Sequence, residues 1–502
     1  MPSPEHSTIS QQQVPISQTT AIDKQLAPLV VDLDGTLVST DTLVESLTRL
    51  AKHSPLAFFA ALVRLLAGRA AFKRAVAAHV QIDAQLLPYR LDLLDYLRQQ
   101  KQSGRKLVLA TAAHRSIAAA VASHLELFDL VLATDDDLNL KGANKLAAIR
   151  QQVGERYVYV GDSAVDMPIW RAAEAAVLVD VGPKLAAEVQ RVALIESRFQ
   201  QDCNRTATWM RALRVHQWLK NLLLFVPILT SFSFLQWSKL GANLTAFIAF
   251  CLAASATYLI NDCWDLDSDR AHPSKRNRPL ASGRIGLMPA IGVAAISLSL
   301  SLMIGALVTP GFLVLLGAYL LMTTAYSLVL KQYVLIDVLM LSLLYTLRIV
   351  AGAAAIGVAT SHWLLAFSVF IFLSLALVKR CAELRALQQA GGESTPGRDY
   401  RTGDLMVLWP LGVGAAISAV VVFGLFISSP ETAAHYATPG LLWGVALLLI
   451  YWLARLWIKT SRGEMHHDPV VYAVADRGSL ITVAAMVATV LLAYFVKLDF
   501  LV

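Results

Sequence analysis

The sequence is short of charge and of cysteine. Only 16% of its 502 residues are Asp, Glu, Lys or Arg, against roughly 25% in an ordinary soluble domain. With 56% apolar residues, that shortage excludes a chain that is water-soluble throughout. The four cysteines, Cys203, Cys251, Cys263 and Cys381, have neither metal-ligand spacing nor the pattern of a secreted disulfide scaffold, so they read as free thiols. Residues 1–22 contain no lysine or arginine and no apolar core. They lack both parts of a signal peptide and read as a disordered tail, so the domain after them is expected to be cytoplasmic. Strict heptads, a strong internal repeat and nucleic-acid-binding modules are also missing.

The chain is long enough for two folding units. Residues 23–200 alternate charged and apolar stretches as a soluble domain does, whereas 201–502 form a series of long apolar runs. Nine such segments lie at 218–236, 243–260, 285–307, 311–330, 335–357, 362–379, 406–428, 439–457 and 479–497. Each approaches the length a helix needs to cross a bilayer; the region 285–357 divides in more than one way, which leaves eight or ten spans as alternatives to nine. The net charge is +7, and most basic residues of the membrane part lie in the loops at 261–284, 380–405 and 458–478, while the alternate loops hold only Lys239 as a basic residue. That asymmetry orients the basic loops toward the cytoplasm and makes anionic headgroups, not nucleic acid, the partners of the excess charge.

In the soluble part, an apolar strand at Leu29–Leu33 leads into Asp34-Gly35-Thr36, a second at Lys106–Ala110 ends at Thr111, and a third at Tyr157–Val160 ends at Gly161-Asp162-Ser163. Ala176–Val179 reads as one more. Strands alternating with helices predict an α/β sheet covered on both faces, with the helical stretch 41–98 as a small cap. Two carboxylates at i and i+2 on a strand end can divide labour. Asp32 is suited to attack phosphorus, and Asp34 to protonate the leaving oxygen and then activate water. Thr111 is a candidate to hold phosphoryl oxygens, and Lys145, with Lys141 as its rival, to supply positive charge. Asp162 and Asp166, with Asp32 and Asp34, are the candidate Mg²⁺ ligands. This order of motifs resembles the haloacid dehalogenase superfamily of phosphatases, which implies a Rossmann-like fold and a phosphatase activity.

In the membrane part, the run Asn261-Asp262-Cys263-Trp264-Asp265-Leu266-Asp267-Ser268-Asp269 closes the second apolar segment. On a continuous helix Asp262, Asp265 and Asp269 would share one face, with Asn261 beside Asp265 and Asp267 turned away. Clustered carboxylates need cations, and Mg²⁺ bound partly through substrate phosphates is the usual solution. Lys275, Arg276 and Arg278 follow at once, which suits a diphosphate gripped between metal and basic groups. Acids at the mouth of a membrane helix are costly and usually functional. A transporter would explain buried charge but not this juxtaposition.

These residues, with Arg214 to Asn221, Tyr326-Ser327, Lys331, Asp337, Arg348 and Gly352, resemble the UbiA superfamily of intramembrane prenyltransferases over about 205–500. Members that prenylate aromatic rings carry a second aspartate-rich motif after the sixth span, where this chain has Lys379-Arg380-Cys381-Ala382-Glu383-Leu384-Arg385. The basic version resembles the decaprenyl-phosphate phosphoribosyltransferase branch. The resemblance implies a polyprenyl phosphate or diphosphate lipid and a phosphorylated sugar diphosphate donor, or else prenyl transfer to a small acceptor. Asp262 and Asp265 are then the catalytic acids, Mg²⁺ is held by Asn261, Asp262, Asp265 and Asp269, and phosphates are bound by Lys275, Arg278, Lys379 and Arg380. Glu383 would assist a metal or a ribose hydroxyl, and Lys220 and Arg214 the lipid headgroup. Asp337 and Arg348 are expected to line the cavity, and Asp468-Pro469-Val470 with Asp476-Arg477 to close over it.

Overall fold

In the computed structural model the chain divides into two compact units, Met1–Asp202 and Cys203–Val502. The structure describes residues 26–135, 139–201, 204–394, 398–430, 436–465, 469, 472–473 and 476–497. The tail at 1–22 lies outside them.

The first unit is built on a parallel six-stranded sheet in the order β3-β2-β1-β4-β5-β6. The strands are β1 Leu29–Val31, β2 Leu107–His114, β3 Leu130–Thr134, β4 Val158–Gly161, β5 Ala175–Val179 and β6 Leu194–Phe199. Because side chains alternate along a strand, Leu29 and Val31 enter one core with Leu109 and Val160, while Val30 enters the other with Val108 and Tyr159. Val31 pairs with both Leu109 and Val160, so the carboxyl end of β1 sits between β2 and β4. There the strand order reverses, the usual place for a ligand in an open parallel sheet. β3 and β6 escape a sequence reading because the first is a short apolar run between helices and the second is a half-exposed edge strand.

Helices Thr42–His53, Pro55–Arg64 and Arg69–Ala77 form the cap around a small core of Leu50, Ala61, Phe72, Val76 and Val80. Helix Leu91–Gln102, inside the stretch 41–98, instead packs Leu93, Leu94 and Leu97 into the core beneath the sheet.

The second unit has eight helices long and apolar enough to cross a membrane among the described residues: Trp237–Trp264, Leu287–Ala306, Pro310–Leu328, Ile336–Ile356, His362–Gln389, Thr402–Ile427, Pro439–Ser461 and Arg477–Phe495. The ninth expected helix, at 218–236, is a correction. It is wound as a 3₁₀ run, Val215–Phe225, followed by a short α-helix, Val226–Thr230. At about 2.0 Å per residue the 3₁₀ run still extends on the order of 20 Å. Irregular backbone at membrane depth requires burial in protein, and this segment packs against the 237–264 and 336–356 helices. The approach is close: a Cβ on Gly352 would lie 2.1 Å from the Leu224 carbonyl oxygen.

Candidate active sites

At the end of β1 the two aspartates occupy different surroundings. Asp32 accepts from the Leu33 N–H at 2.8 Å and its other oxygen lies 2.8 Å from Lys145 Nζ. Lys141 lines the same cavity but has no such contact, so Lys145 is the cation on Asp32. Oxygens of Asp32, Asp162 and Asp166 all lie within 4.8 Å of one another. Such an all-oxygen cluster fits a hard divalent cation. Gly35, at φ +77°, lets Asp162 approach, since a Cβ there would sit 2.3 Å from its Oδ2. Burial, Asp32 and Asp166 push the Asp162 carboxyl up to about 7, the repulsion that a bound cation relieves.

The Asp34 carboxylate, expected as a metal ligand, is not part of this cluster. It accepts from the Thr42 N–H at 2.9 Å at the entrance to the cap. Burial, reinforced by Asp41, pushes it up to about 7, which suits a group that gives and takes a proton near neutrality. Thr111 is fully buried and its hydroxyl accepts from the Ala113 N–H at 3.0 Å. Ala112, Ala113 and His114, not Thr111, line the cavity of about 440 Å³ above Asp32.

Sequence reasoning missed two residues here. Tyr159 is buried between Lys145 (3.0 Å) and Asp166 (3.0 Å). Its signal was a hydroxyl inside an otherwise apolar buried strand. Lys73 of the cap reaches Ala112 O at 2.6 Å and Asn139 Oδ1 at 2.7 Å across the cavity wall.

In the second unit the acidic run does not lie on one helix. The 237–264 helix stops at Trp264, Asp265 caps it, and a short helix runs over Leu266–Ala271. Asp262 and Asp269 still face one point, for both take the same nitrogen of Arg278, at 3.2 and 2.6 Å. Asp262 also takes Arg214 at 2.5 Å, whereas Asp265 turns to Lys331 at 3.2 Å and Asn261 donates to Ser327 at 2.9 Å. Arg214 holds a left-handed backbone (φ 50°, ψ 47°) and stacks on Tyr258. That conformation costs an L-residue on the order of 1 kcal/mol. Lys275 is exposed nearby. Arg278 and Lys331 are thus engaged with the acids themselves, an arrangement set by the fold after 264 and invisible in spacing.

Lys220 lies over the Tyr345 ring at 5.6 Å. Arg348 is bonded to Asn221 at 2.9 Å and to the Tyr319 hydroxyl at 3.3 Å, joining separate membrane segments. Arg380, expected among the phosphate-binding residues, has carboxylates of its own unit as partners. It is fully buried and paired with Asp337, which also accepts from Tyr400, and with Glu383, which Arg398 approaches at 3.3 Å. Lys379, the neighbour, is half-buried. Arg380→Met is therefore expected to cost about 3–5 kcal/mol by stranding Asp337. A lower midpoint of thermal unfolding in detergent, with KM for the phosphorylated donor unchanged in the surviving fraction, checks this. Asp468 and Val470 lie outside the described residues. Asp476 caps the last helix through Ser479 N–H and pairs with Arg455.

Two family models match. The haloacid dehalogenase-like hydrolase model covers residues 29–171, and the UbiA prenyltransferase family model covers residues 224–475, half of the chain. The chain belongs to the UbiA prenyltransferase family. Its membrane unit is fused to a haloacid dehalogenase-like phosphatase domain, so one chain carries two enzyme domains. An uncharacterized protein of Sinorhizobium fredii is 38% identical over 463 residues, 91% of this chain and 89% of that one, which takes in both domains. The UbiA unit is related to decaprenyl-phosphate phosphoribosyltransferases: that of Mycolicibacterium smegmatis is 30% identical over 296 residues, 57% of this chain and 92% of that one. Among solved structures, a UbiA homolog from Archaeoglobus fulgidus bound to GPP and Mg²⁺ aligns with a TM-score of 0.43 at 17% identity, covering 58% of this chain and all of that one.

Proposed function

We propose that the UbiA unit joins phosphoribosyl diphosphate to a polyprenyl phosphate, and that the phosphatase domain then removes the 5-phosphate of the lipid-linked product. The observation that carries this reading is the match of cations to acids at the membrane mouth. Asp262, Asp265 and Asp269 are met by Arg214, Arg278 and Lys331, with Lys275 beside them. A basic segment at 379–385 stands where ring-prenylating members carry acids. Two substrates bringing several phosphates need that many charge-assisted partners.

In the transfer, a phosphate oxygen of the lipid forms a bond to the anomeric carbon as the bond from that carbon to pyrophosphate breaks. Arg214, Arg278 and Lys331 exchange their carboxylate partners for phosphate oxygens, while Lys275 and Lys379 reach the donor. Glu383 orients a ribose hydroxyl. In the phosphatase, Asp32 attacks phosphorus, oriented by Leu33 N–H and Lys145, and Asp34 gives its proton to the leaving oxygen. Water deprotonated by Asp34 then attacks the phosphoaspartate, releasing phosphate and restoring Asp32. Mg²⁺, held by Asp262 and Asp269 in one unit and by Asp32, Asp162 and Asp166 in the other, would supply positive charge against the departing pyrophosphate and the transferring phosphoryl group. The charge asymmetry of the loops supports a cytoplasmic location for both sites.

The test is a membrane assay with Mg²⁺, ribose-labelled phosphoribosyl diphosphate and polyprenyl phosphate. A labelled lipid that forms with Mg²⁺ and not with chelator is expected. No labelled lipid under any condition would instead favour prenyl transfer from a polyprenyl diphosphate to another acceptor.

A further inference from the structure

The cap carries an apolar face that nothing among the described residues of its own domain covers. Helix Pro55–Arg64 turns Ala57, Phe58 and Ala61 toward the cap core. Its opposite side presents Leu56 (86% exposed), Phe59 (64%) and Val63 (65%), and Leu66 (91%) follows in the adjoining turn Leu65–Ala67. A helix apolar on both sides needs a second apolar environment, and single exposed leucines do not explain a contiguous patch. At thirteen residues, Pro55–Ala67 is too short to span a bilayer.

Charge identifies the occupant. Between Glu45 and Asp83 the chain has no acidic residue; of its basic residues there, Arg49 is buried against Glu45 and Lys73 turns to the cavity wall. Arg64, next to Val63 on the same helix, and Arg74 on the following helix are exposed. An apolar stripe with basic flanks is the composition of a helix lying in the headgroup region of an anionic membrane. The same chain has eight helices able to cross a membrane, so a bilayer is always at hand. Leu65 and Phe72 of the same hairpin line the cavity over Asp32, which makes the wall of that cavity and the outer face parts of one element.

We propose that the cap hairpin docks on the anionic lipid surface through Leu56, Phe59, Val63 and Leu66, so that the phosphatase cavity draws on substrates borne in the bilayer. Docking does not depend on which phosphate ester is cleaved. The test uses the full chain, with Cys203→Ser, reconstituted in phosphatidylcholine–phosphatidylglycerol vesicles containing a nitroxide-labelled phospholipid. An environment-sensitive dye is placed at Phe59→Cys or, as control, at exposed Glu188→Cys.

The dye at 59 is expected to emit further to the blue and to be quenched by the nitroxide lipid. The dye at 188 is not. Adding Leu56→Asp, Val63→Asp and Leu66→Asp is expected to return the quenching at 59 to the level at 188, with hydrolysis of p-nitrophenyl phosphate unchanged as evidence of folding. Equal quenching at the two positions in the unsubstituted cap would overturn the proposal. A blue shift at 59 that grows with protein density, without nitroxide quenching, would overturn it in favour of a second copy of this chain.

Discussion

Asp262→Asn is expected to reduce lipid labelling about a thousandfold, the scale reached when an electrostatic partner of a developing charge is removed. Asp262 is 3% exposed and sits where Arg214 and Arg278 converge. Asparagine keeps the volume and loses the charge, so the mutual repulsion of the two guanidiniums is no longer offset. Asp269 still holds Arg278 at 2.6 Å, and the fold should therefore survive. Arg214 loses the carboxylate of Asp262 and with it the support for a left-handed backbone. The loss should fall on kcat, because the charge acts on the departing pyrophosphate. The same preparation must keep its hydrolysis of p-nitrophenyl phosphate, since that chemistry belongs to the other domain. Lipid labelling above about a tenth of the unsubstituted rate would remove Asp262 from the transfer step.

Much of the fold was legible because its signals are long. Eight of the nine apolar runs became membrane helices, and the β1 and β4 motifs sit at the ends of their strands, whereas β2 runs on to His114, three residues past Thr111. The ninth run failed for a physical reason. Hydrophobic length reports that a segment can lie in a bilayer, not how it is wound, and the winding of Val215–Phe225 is set by tertiary contacts. Asn221 reaches Cys251 and Arg348, and Gly352 admits the Leu224 carbonyl. Gly352 could be quoted from a motif, but its reason is a contact 128 positions away along the chain, at Leu224.

The sites were legible as residue types and less so as partnerships. Asp32, Asp162 and Asp166 come together as a set. Asp34 separates because its carboxylate turns to the Thr42 N–H, a contact made by the cap. In the membrane unit, helical spacing placed Asp265 with Asp262 and Asp269, but the helix ends before it and Lys331 draws it aside. Arg380 looked like one of three equivalent bases in a cytoplasmic loop. The helix His362–Gln389 in fact continues through it and buries it against Asp337. A periodic helix extended past the apolar run would have predicted that Lys379 and Arg380 point in different directions.

Asp32→Asn is expected to lower phosphate release at least about ten-thousandfold, because the amide removes the attacking carboxylate oxygen. Its effect on stability should be small, and the signs say why. The Asp32 carboxylate attracts Lys145 at 2.8 Å but also raises the pKa of both Asp162 and Asp166 by repulsion. Removing it costs the first interaction and relieves the second. Lys145 keeps the Tyr159 hydroxyl at 3.0 Å and the field of Asp166. The midpoint of thermal unfolding should consequently move little while catalysis disappears. In the membrane assay this variant, with Asp262 intact, should accumulate labelled lipid that still carries the 5-phosphate, whereas the unsubstituted chain yields the dephosphorylated lipid. If both yield phosphorylated lipid while the unsubstituted chain hydrolyses other esters, the two sites act on separate substrates. The coupling then falls, and the transfer reaction stands on its own.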